Sequence, residues 1–354
     1  MKVKTHPSFG SRGENMRIAT ILMGILLGMT GCVSLADAQE LPKLLISAPG
    51  PRNLSYLPID LIPVIGADRE EGVDLEIVSV GGGGVALQNL TQRNVDFAVA
   101  GVPAAMSLRA NGGDVVVVAP VDDAPLFVLM VRSGLAGQVK RIADLKGKVI
   151  GVNTSTKTSK TTSQQLMELL LRSDGVPLDA VRIVPAGQSW VEQSSLLKSA
   201  TADAVMGDEP FASRLLADGK VFFLANLAEP ATLGSLKEAN FLHAALETRS
   251  EVIAQDPKKV AKMVRMLKKS LAWITTHPAA EIVEKLKIAD EAERDALQRA
   301  LERYPHAFKG DGRFSTEQLR NTEAFFHKSM PNDPKSLSQT IESMVDDRWA
   351  GRAP

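Results

Sequence analysis

The feature that most constrains this chain is an order of elements that occurs twice. LQNLTQRNVDFAVAGVP (Leu87–Pro103) and SLLKSATADAVMGDEP (Ser195–Pro210) both read as helix, polar turn, aspartate, short apolar strand, glycine, and a loop with proline. Asp96–Pro103 thus corresponds to Asp203–Pro210. The flanking segments repeat in the same order. LPKLLISA, VDLEIVSV, DVVVVAP and PLFVLMVRS are apolar strands in the first half, and KVIGV, VRIVPAG and ADAVMGD are their kin in the second. Short apolar strands alternating with helices specify an α/β domain with a mostly parallel sheet. The repetition predicts two similar lobes, and 354 residues are enough for each to have its own core. From Asp256 onward the pattern changes. PKKVAKMVRMLKKSLAWITTH, EIVEKLKI, EAERDALQRALERY, TEQLRNTEAFFHKSM and SLSQTIESMVDDRW all have helical apolar spacing, so a helical tail packs on one lobe.

Between VDLEIVSV and the helix VALQNLTQR stand four glycines, Gly81–Gly84. Gly81-x-Gly83-x-x-Ala86 formally fits the dinucleotide pattern, but the next strand ends in Gly101-Val102-Pro103, with no acid to hold a ribose hydroxyl. The residues favour a small polar or anionic ligand held by exposed N–H groups at the helix N-terminus; a plain tight turn is the alternative. The second half offers a counterpart. NTSTKTSKTTSQQ (Asn153–Gln165) carries three serines, five threonines and two lysines between a strand and a helix, and can wrap an oxyanion or serve as a solvated capping loop. It lacks the G-x-x-x-x-G-K-[ST] of a nucleotide-binding loop. Trp190, at the next helix start, is core packing or a wall against a ligand. Asp208-Glu209-Pro210 can pair with a ligand amine or cap the helix FASRLLADG.

Several function classes are excluded. Lysine plus arginine equals aspartate plus glutamate at 41 each, and no basic stripe interleaved with aromatics exists, so nucleic acid is not an expected partner. The five histidines (His6, His243, His277, His306, His327) are scattered, with no H-x-x-H spacing, and read as surface or helix-cap residues. Neither a metal site nor a cofactor is expected. Gly187-Gln188-Ser189-Trp190 lacks the second glycine of a nucleophile elbow.

The N-terminus carries an export signal. Met16-Arg17 introduces the apolar run IATILMGILLGMTG, too short to span a bilayer, and Ala36-Asp37-Ala38 supplies a small-x-small cleavage site before Gln39. Met29-Thr30-Gly31-Cys32 is an imperfect lipobox and the alternative; its use would lipidate Cys32. As Cys32 is the sole cysteine, the mature chain has no disulfide.

GGGGVALQNLTQRNVDFAVAG, DLKGKVIGV, ADAVMGDEPFASRLLADG and SEVIAQDPKKVAKMVRML together resemble the substrate-binding proteins of ABC importers for nitrate, sulfonate and taurine, including the NMT1/THI5-like branch. The resemblance implies a type II periplasmic-binding-protein fold, α/β and two-lobed, with a helical C-terminal segment. It implies a signal peptide over 1–38, lobe I over 39–128 plus 244–354, and lobe II over 129–243. Crossing segments fall near Leu126–Arg132 and Leu242–Arg249. The implied ligand contacts are Pro49, Asn53 and Tyr56; Gly82, Gly83 and Gly84; Gly101, Val102 and Pro103; Thr154, Ser155, Thr156 and Thr161; Gln188 and Trp190; Asp208 and Glu209. The implied function is solute binding in the periplasm by a monomer that delivers a small anionic or sulfonate-like ligand to an inner-membrane permease. Alternatives are a pyrimidine or aromatic-acid ligand, a sensor module, and an enzyme of the pyrimidine-synthesising kind, whose cysteine-rich motif this chain lacks.

Overall fold

The computed structural model describes residues 41–229 and 240–353, so the export segment, Cys32 and both expected cleavage sites lie outside the described residues. Ten strands build two mixed sheets. β1 (Lys43–Pro49), β2 (Asp74–Val80), β3 (Phe97–Gly101) and β4 (Val116–Pro120) belong to the first. β5 (Phe127–Arg132), β6 (Val149–Val152), β7 (Arg182–Pro185), β8 (Ala204–Asp208) and β9 (Val221–Asn226) form the second, and β10 (Ala244–Thr248) returns to the first. The orders are β2-β1-β3-β10-β4 and β7-β6-β8-β5-β9. In each, the fourth strand runs antiparallel to its neighbours. That strand is the one entered after a crossing: 121–126 leads from β4 into β5, and 240–243 leads into β10.

The helices that matter to the site are α1 (Leu57–Val64), α2 (Ala67–Glu70), α3 (Gly83–Thr91), α4 (Val102–Ala110), α5 (Thr162–Ser173), α6 (Trp190–Lys198) and α7 (Phe211–Ala217). The tail adds α8 (Ser250–Gln255), α9 (Pro257–Thr276), α10 (Ala279–Lys285), α11 (Glu291–Arg303) and α12 (Thr316–Ser329). Strand periodicity explains the cores. On β5, Phe127, Leu129 and Val131 face one cluster with Leu166, Met167 and Leu170 of α5, while Val128 and Met130 face another with Leu197, Ala212 and Leu215. A strand covered on both faces must be apolar throughout, and FVLMV is. α9 starts where Asp256 accepts the Lys259 N–H (2.9 Å) and Pro257 presets the first turn, and its Val260–Ile274 face packs against α1.

The repeat extends to ion pairs. Asp96, before β3, meets Arg249, just past β10 (3.6 Å); Asp203, before β8, meets Arg132, the last residue of β5 (3.0 Å). One expected helix is absent. Most of SLSQTIESMVDDRW is irregular, because Val117 N–H donates to Met344 O and Asp346 N–H donates to Val117 O, covering the open edge of β4. The tail touches both halves: α12 packs on α4 and α5, and α11 on α7. Among the described residues no helix is long and apolar enough to cross a membrane.

Candidate functional site

Three helices, two from the first half and one from the second, begin at one small cavity. The N-cap residues of α3, α4 and α5 are Gly82, Gly101 and Thr161, and none accepts a helix N–H through its side chain. The first N–H groups of α3 and α5 have no intrahelical acceptor, whereas at α4 the Val102 N–H is taken up by His243 O and Pro103 has none; the helix dipole concentrates about half a positive charge at each end. The cavity is lined by Tyr56, Gly83, Gly101, Ala104, Phe127, Asn153, Thr161, Thr162, Gln188 and His243. It is tight, with about 10 Å³ open to the centre of a water-sized sphere. Larger hollows, of about 220 and 460 Å³, lie elsewhere, among α9–α11 and beside Lys160–Arg172.

The glycines are where the halves meet. A methyl at Gly82 would lie 2.8 Å from Thr154 O, and one at Gly84 would lie 3.2 Å from both Thr154 O and Ser159 O. At Gly101 it would fall 2.1 Å from Thr162 Oγ1 and 3.2 Å from His243 Nε2. Gly83 differs, since its added methyl meets Ala100 of its own half (3.2 Å). Hydrogen bonds fasten the same seam. Ser159 Oγ donates to Ala104 O (2.9 Å), Gln165 Nε2 to Pro103 O (2.9 Å), and Leu54 N–H to Glu209 O (2.8 Å).

Of the residues expected at the site, Tyr56, Gly83, Gly101, Thr161 and Gln188 line the cavity, and Gly82, Gly84 and Thr154 form its closed lip. Val102 N–H donates to His243 O (2.7 Å), binding α4 to the crossing segment, and Pro103 serves through its carbonyl. Ser155 and Thr156 are used inside their own loop: Ser155 Oγ donates to Gln164 (2.8 Å), and Thr156 Oγ1 accepts the Ser159 N–H (3.1 Å). Asn53 caps the turn after β1 by accepting the Ser55 N–H (3.0 Å). Asp208 sits behind the wall, accepting from Gln188 Nε2 (2.9 Å) and Gln193 Nε2 (2.8 Å). Glu209 turns away, accepting from Ser213 Oγ (2.9 Å) and Tyr304 Oη (3.0 Å). Trp190 packs outside the cavity, with Arg214 4.0 Å and Lys198 4.8 Å from its ring centre; cation–π contact holds it there.

His243 corrects the surface reading of the histidines. It is 1% exposed, its Nδ1 lies 2.9 Å from Asp122 Oδ2, and its ring meets Phe127 edge-on at 4.7 Å. Asp122 also accepts the Ala244 N–H (2.7 Å), so the pair joins the two crossing segments. The signal was present: in FLHAALE one histidine interrupts a run otherwise apolar up to Glu247, where nothing but a paired imidazole is expected. Ala104 of α4, Phe127 at the start of β5, and Asn153 and Thr162 inside the Ser/Thr-rich loop are the other lining residues missed.

Electrostatically the cavity has two sides. None of its lining residues is lysine or arginine. Burial pushes the Asp208 carboxyl up, against the lowering effect of Gln188, Asn53 and Gln193, and burial likewise raises Asp122 against the pull of His243. Burial and then the Asp208 charge hold the Tyr56 hydroxyl well above its usual range. Glu247 on β10 is fully buried, and neither of its oxygens has a partner among the described residues; burial raises it strongly. Among the described residues no cluster of His, Cys, Asp and Glu could hold a metal ion.

Two mixed sheets joined by crossing segments, with helix N-termini aimed at a cavity between them, define a two-lobed binding-protein fold. Solved structures share it. A protein from Bordetella bronchiseptica RB50 superposes with a TM-score of 0.78 at 20% identity, covering 88% of this chain and 97% of its own. The alkanesulfonate-binding protein SsuA from Xanthomonas axonopodis pv. citri, bound to MOPS, gives 0.69 at 17%, covering 88% and 100%. The periplasmic nitrate-binding protein NrtA from Synechocystis PCC 6803 gives 0.66 at 10%, covering 86% of each. No curated protein sequence matches the chain. The family model described as "NMT1/THI5 like" matches residues 69–281, and the chain belongs to that family.

Proposed function

We propose that this protein is the extracytoplasmic solute-binding component of an ABC importer, closing lobe I (39–128 plus 244–354) and lobe II (129–243) on a small organic oxyanion such as a sulfonate or carboxylate. The observation that carries this reading is the convergence of two uncapped helix N-termini, those of α3 and α5, one from each half, on one cavity. A ligand there bridges the halves and so favours the closed state, a population shift about the crossings. The neighbours named for alkanesulfonate and nitrate binding support the ligand class. The reading includes export by residues 1–38, or tethering at Cys32, and delivery by a monomer to a membrane permease. Calorimetry with sulfonates, nitrate and carboxylates, alongside solution scattering, tests it. Saturable binding with compaction and unchanged ligand recovered is the expected result.

A second reading, an enzyme on this scaffold, draws on the buried Asp122–His243 pair beside Tyr56, a carboxylate–imidazole arrangement suited to proton transfer. Conversion of a bound ligand would favour it over the first.

A further inference from the structure

Helix α12 divides its buried side chains between the two halves. Phe325 packs in the core of the second half with Leu129, Leu166 and Phe241, whereas the next residue, Phe326, belongs with Leu319 to the core of the first. Both rings are fully buried. Neighbouring side chains on a helix point about 100° apart, so consecutive buried aromatics suit a helix wedged between two cores rather than laid on one.

The face that carries Phe325 runs along the hinge. Gln318, Thr322, Phe325 and Ser329 recur at spacings of four, three and four, which align on one side of a helix, and all are 7% exposed or less. Gln318 Nε2 donates to Asp123 O (2.7 Å), in the crossing that leaves β4. Thr322 Oγ1 accepts the Leu242 N–H (3.1 Å), and Phe325 stacks on Phe241 at 4.2 Å, both in the crossing that returns to β10. Ser329 closes the stripe on α5: its Oγ donates to Gln165 Oε1 (2.8 Å), and its carbonyl accepts from Arg172 Nη2 (2.6 Å). Gln165 Nε2 donates in turn to Pro103 O and Lys160 O (2.9 Å each), so one buried amide separates the end of α12 from the starts of α4 and α5.

We infer that α12 is a splint on the hinge, a third connection that fixes the line about which the halves turn and holds them together without ligand. This rests on the solute-binding reading and goes beyond it, because that reading places the turn at the two crossings alone. α12 cannot travel with either half without drawing a buried phenyl ring into water, which is costly. The halves therefore separate only by a rotation that leaves α12 seated, and the resting chain opens little.

Electron–electron double resonance on the unliganded mature chain tests this. A chain starting at Gln39 has no cysteine, so Gln138→Cys and Lys258→Cys put one label on the second half and one on α9, both at exposed positions. The wild-type hinge is expected to give one narrow distance. In Phe325→Ala the distribution is expected to widen at least about twofold and to gain a longer component, because the splint is freed from one core. Gln318→Ala combined with Thr322→Val keeps both rings and cuts the ties to both crossings. A smaller widening is expected there, and this double variant decides the matter if Phe325→Ala does not fold. Val205→Ala trims the second half on β8, outside the stripe, and should leave the width unchanged. A broad wild-type distribution, unchanged width in the α12 variants, or equal widening in Val205→Ala overturns the splint. Calorimetry keeps the two readings apart. The expected widening with no binding of propanesulfonate, nitrate or butyrate upholds the splint and removes the solute reading; unchanged width with saturable binding does the reverse.

Discussion

The ends of β3 and β8 occupy matching places in the two halves, yet they carry opposite chemistry. β3 runs out in Gly101, with Val102 and Pro103 starting α4; β8 runs out in Asp208, with Glu209 and Pro210 before α7. Where its strands and helices meet the cleft, the first half therefore offers bare backbone, through Gly82, Gly83, Gly84 and Gly101, with the Tyr56 and His243 rings behind them. The second offers side chains, through Asn153, Thr161, Thr162 and Gln188. One jaw is a mould and the other fills it. Side chains on both would collide, and bare backbone on both would leave nothing to tell one ligand from another. A duplicated scaffold keeps its strands and diverges where they end.

The strongest way to break this contrast is to put a side chain on the bare jaw. In Gly101→Ala the new methyl would sit 2.1 Å from Thr162 Oγ1, so the halves cannot close fully. A loss of at least a hundredfold in affinity is expected, about 3 kcal/mol, with a smaller fall in the thermal midpoint because the methyl also crowds His243 (3.2 Å) whether the cleft is open or closed. Calorimetry on the best-binding probe checks it. Gly83→Ala is the contrasting control for location: its methyl presses on Ala100 within the first half, and stability should fall as well as binding.

The shared device of the two halves can be weighed next. Arg249 is buried and its Nη1 donates to Leu90 O (2.6 Å) and Val95 O (2.7 Å), besides meeting Asp96; Arg132 is nearly a third exposed and serves Asp203. Arg249→Met strands two buried carbonyls and should cost about 3 kcal/mol, against about 1 kcal/mol for Arg132→Met. Urea unfolding measures both. Equal losses would mean that the pseudo-symmetry is energetic as well as geometric.

Acidity separates the halves more gently. Burial raises Asp60, in the first turn of α1, from 3.8 to about 6, although the Arg52 N–H donates to it (2.9 Å). Its folded pKa exceeds the unfolded one, so its contribution is present below about pH 4 and is lost as pH rises through 6. Asp203 shifts the opposite way: the Val149 N–H and Arg132 outweigh burial and lower it, so its contribution is lost as pH falls. Asp60→Asn should therefore gain about 2 kcal/mol on wild type between pH 4 and pH 7, read from urea midpoints across that range. A pH-independent difference would place the Asp60 carboxylate in solvent.

Most of this architecture is legible in the sequence because it rests on periodicity. Alternating apolar strands, a doubled Asp-strand-Gly order, and glycines before a helix each have one cheap structural solution. The site was half legible for the same reason. Gly82, Gly84 and Thr154 stand at predictable element ends. Asp122 and His243 do not; 121 positions apart, they meet because both crossings run through one point, and no local pattern encodes that. SLSQTIESMVDDRW failed for a related cause, since the unpaired edge of β4 outbid a moderate helical propensity.

Trp190 gives the finest test of how far the filling jaw extends. An aromatic at a helix start beside a ligand loop invites assignment as a wall, and sequence alone leaves core and wall equally open. Its ring is instead covered by the Arg214 and Lys198 cations, and Arg214 continues to Asp290 at the start of α11 (3.1 Å). That chain of contacts runs away from Gln188, two residues earlier, which faces inward. Trp190→Phe keeps a ring for the cations and should change ligand affinity less than twofold, with a stability loss below about 1 kcal/mol. A tenfold loss of binding at unchanged stability would move Trp190 into the jaw, and with it the boundary drawn here between residues that fill the cleft and residues that hold α6 to α7.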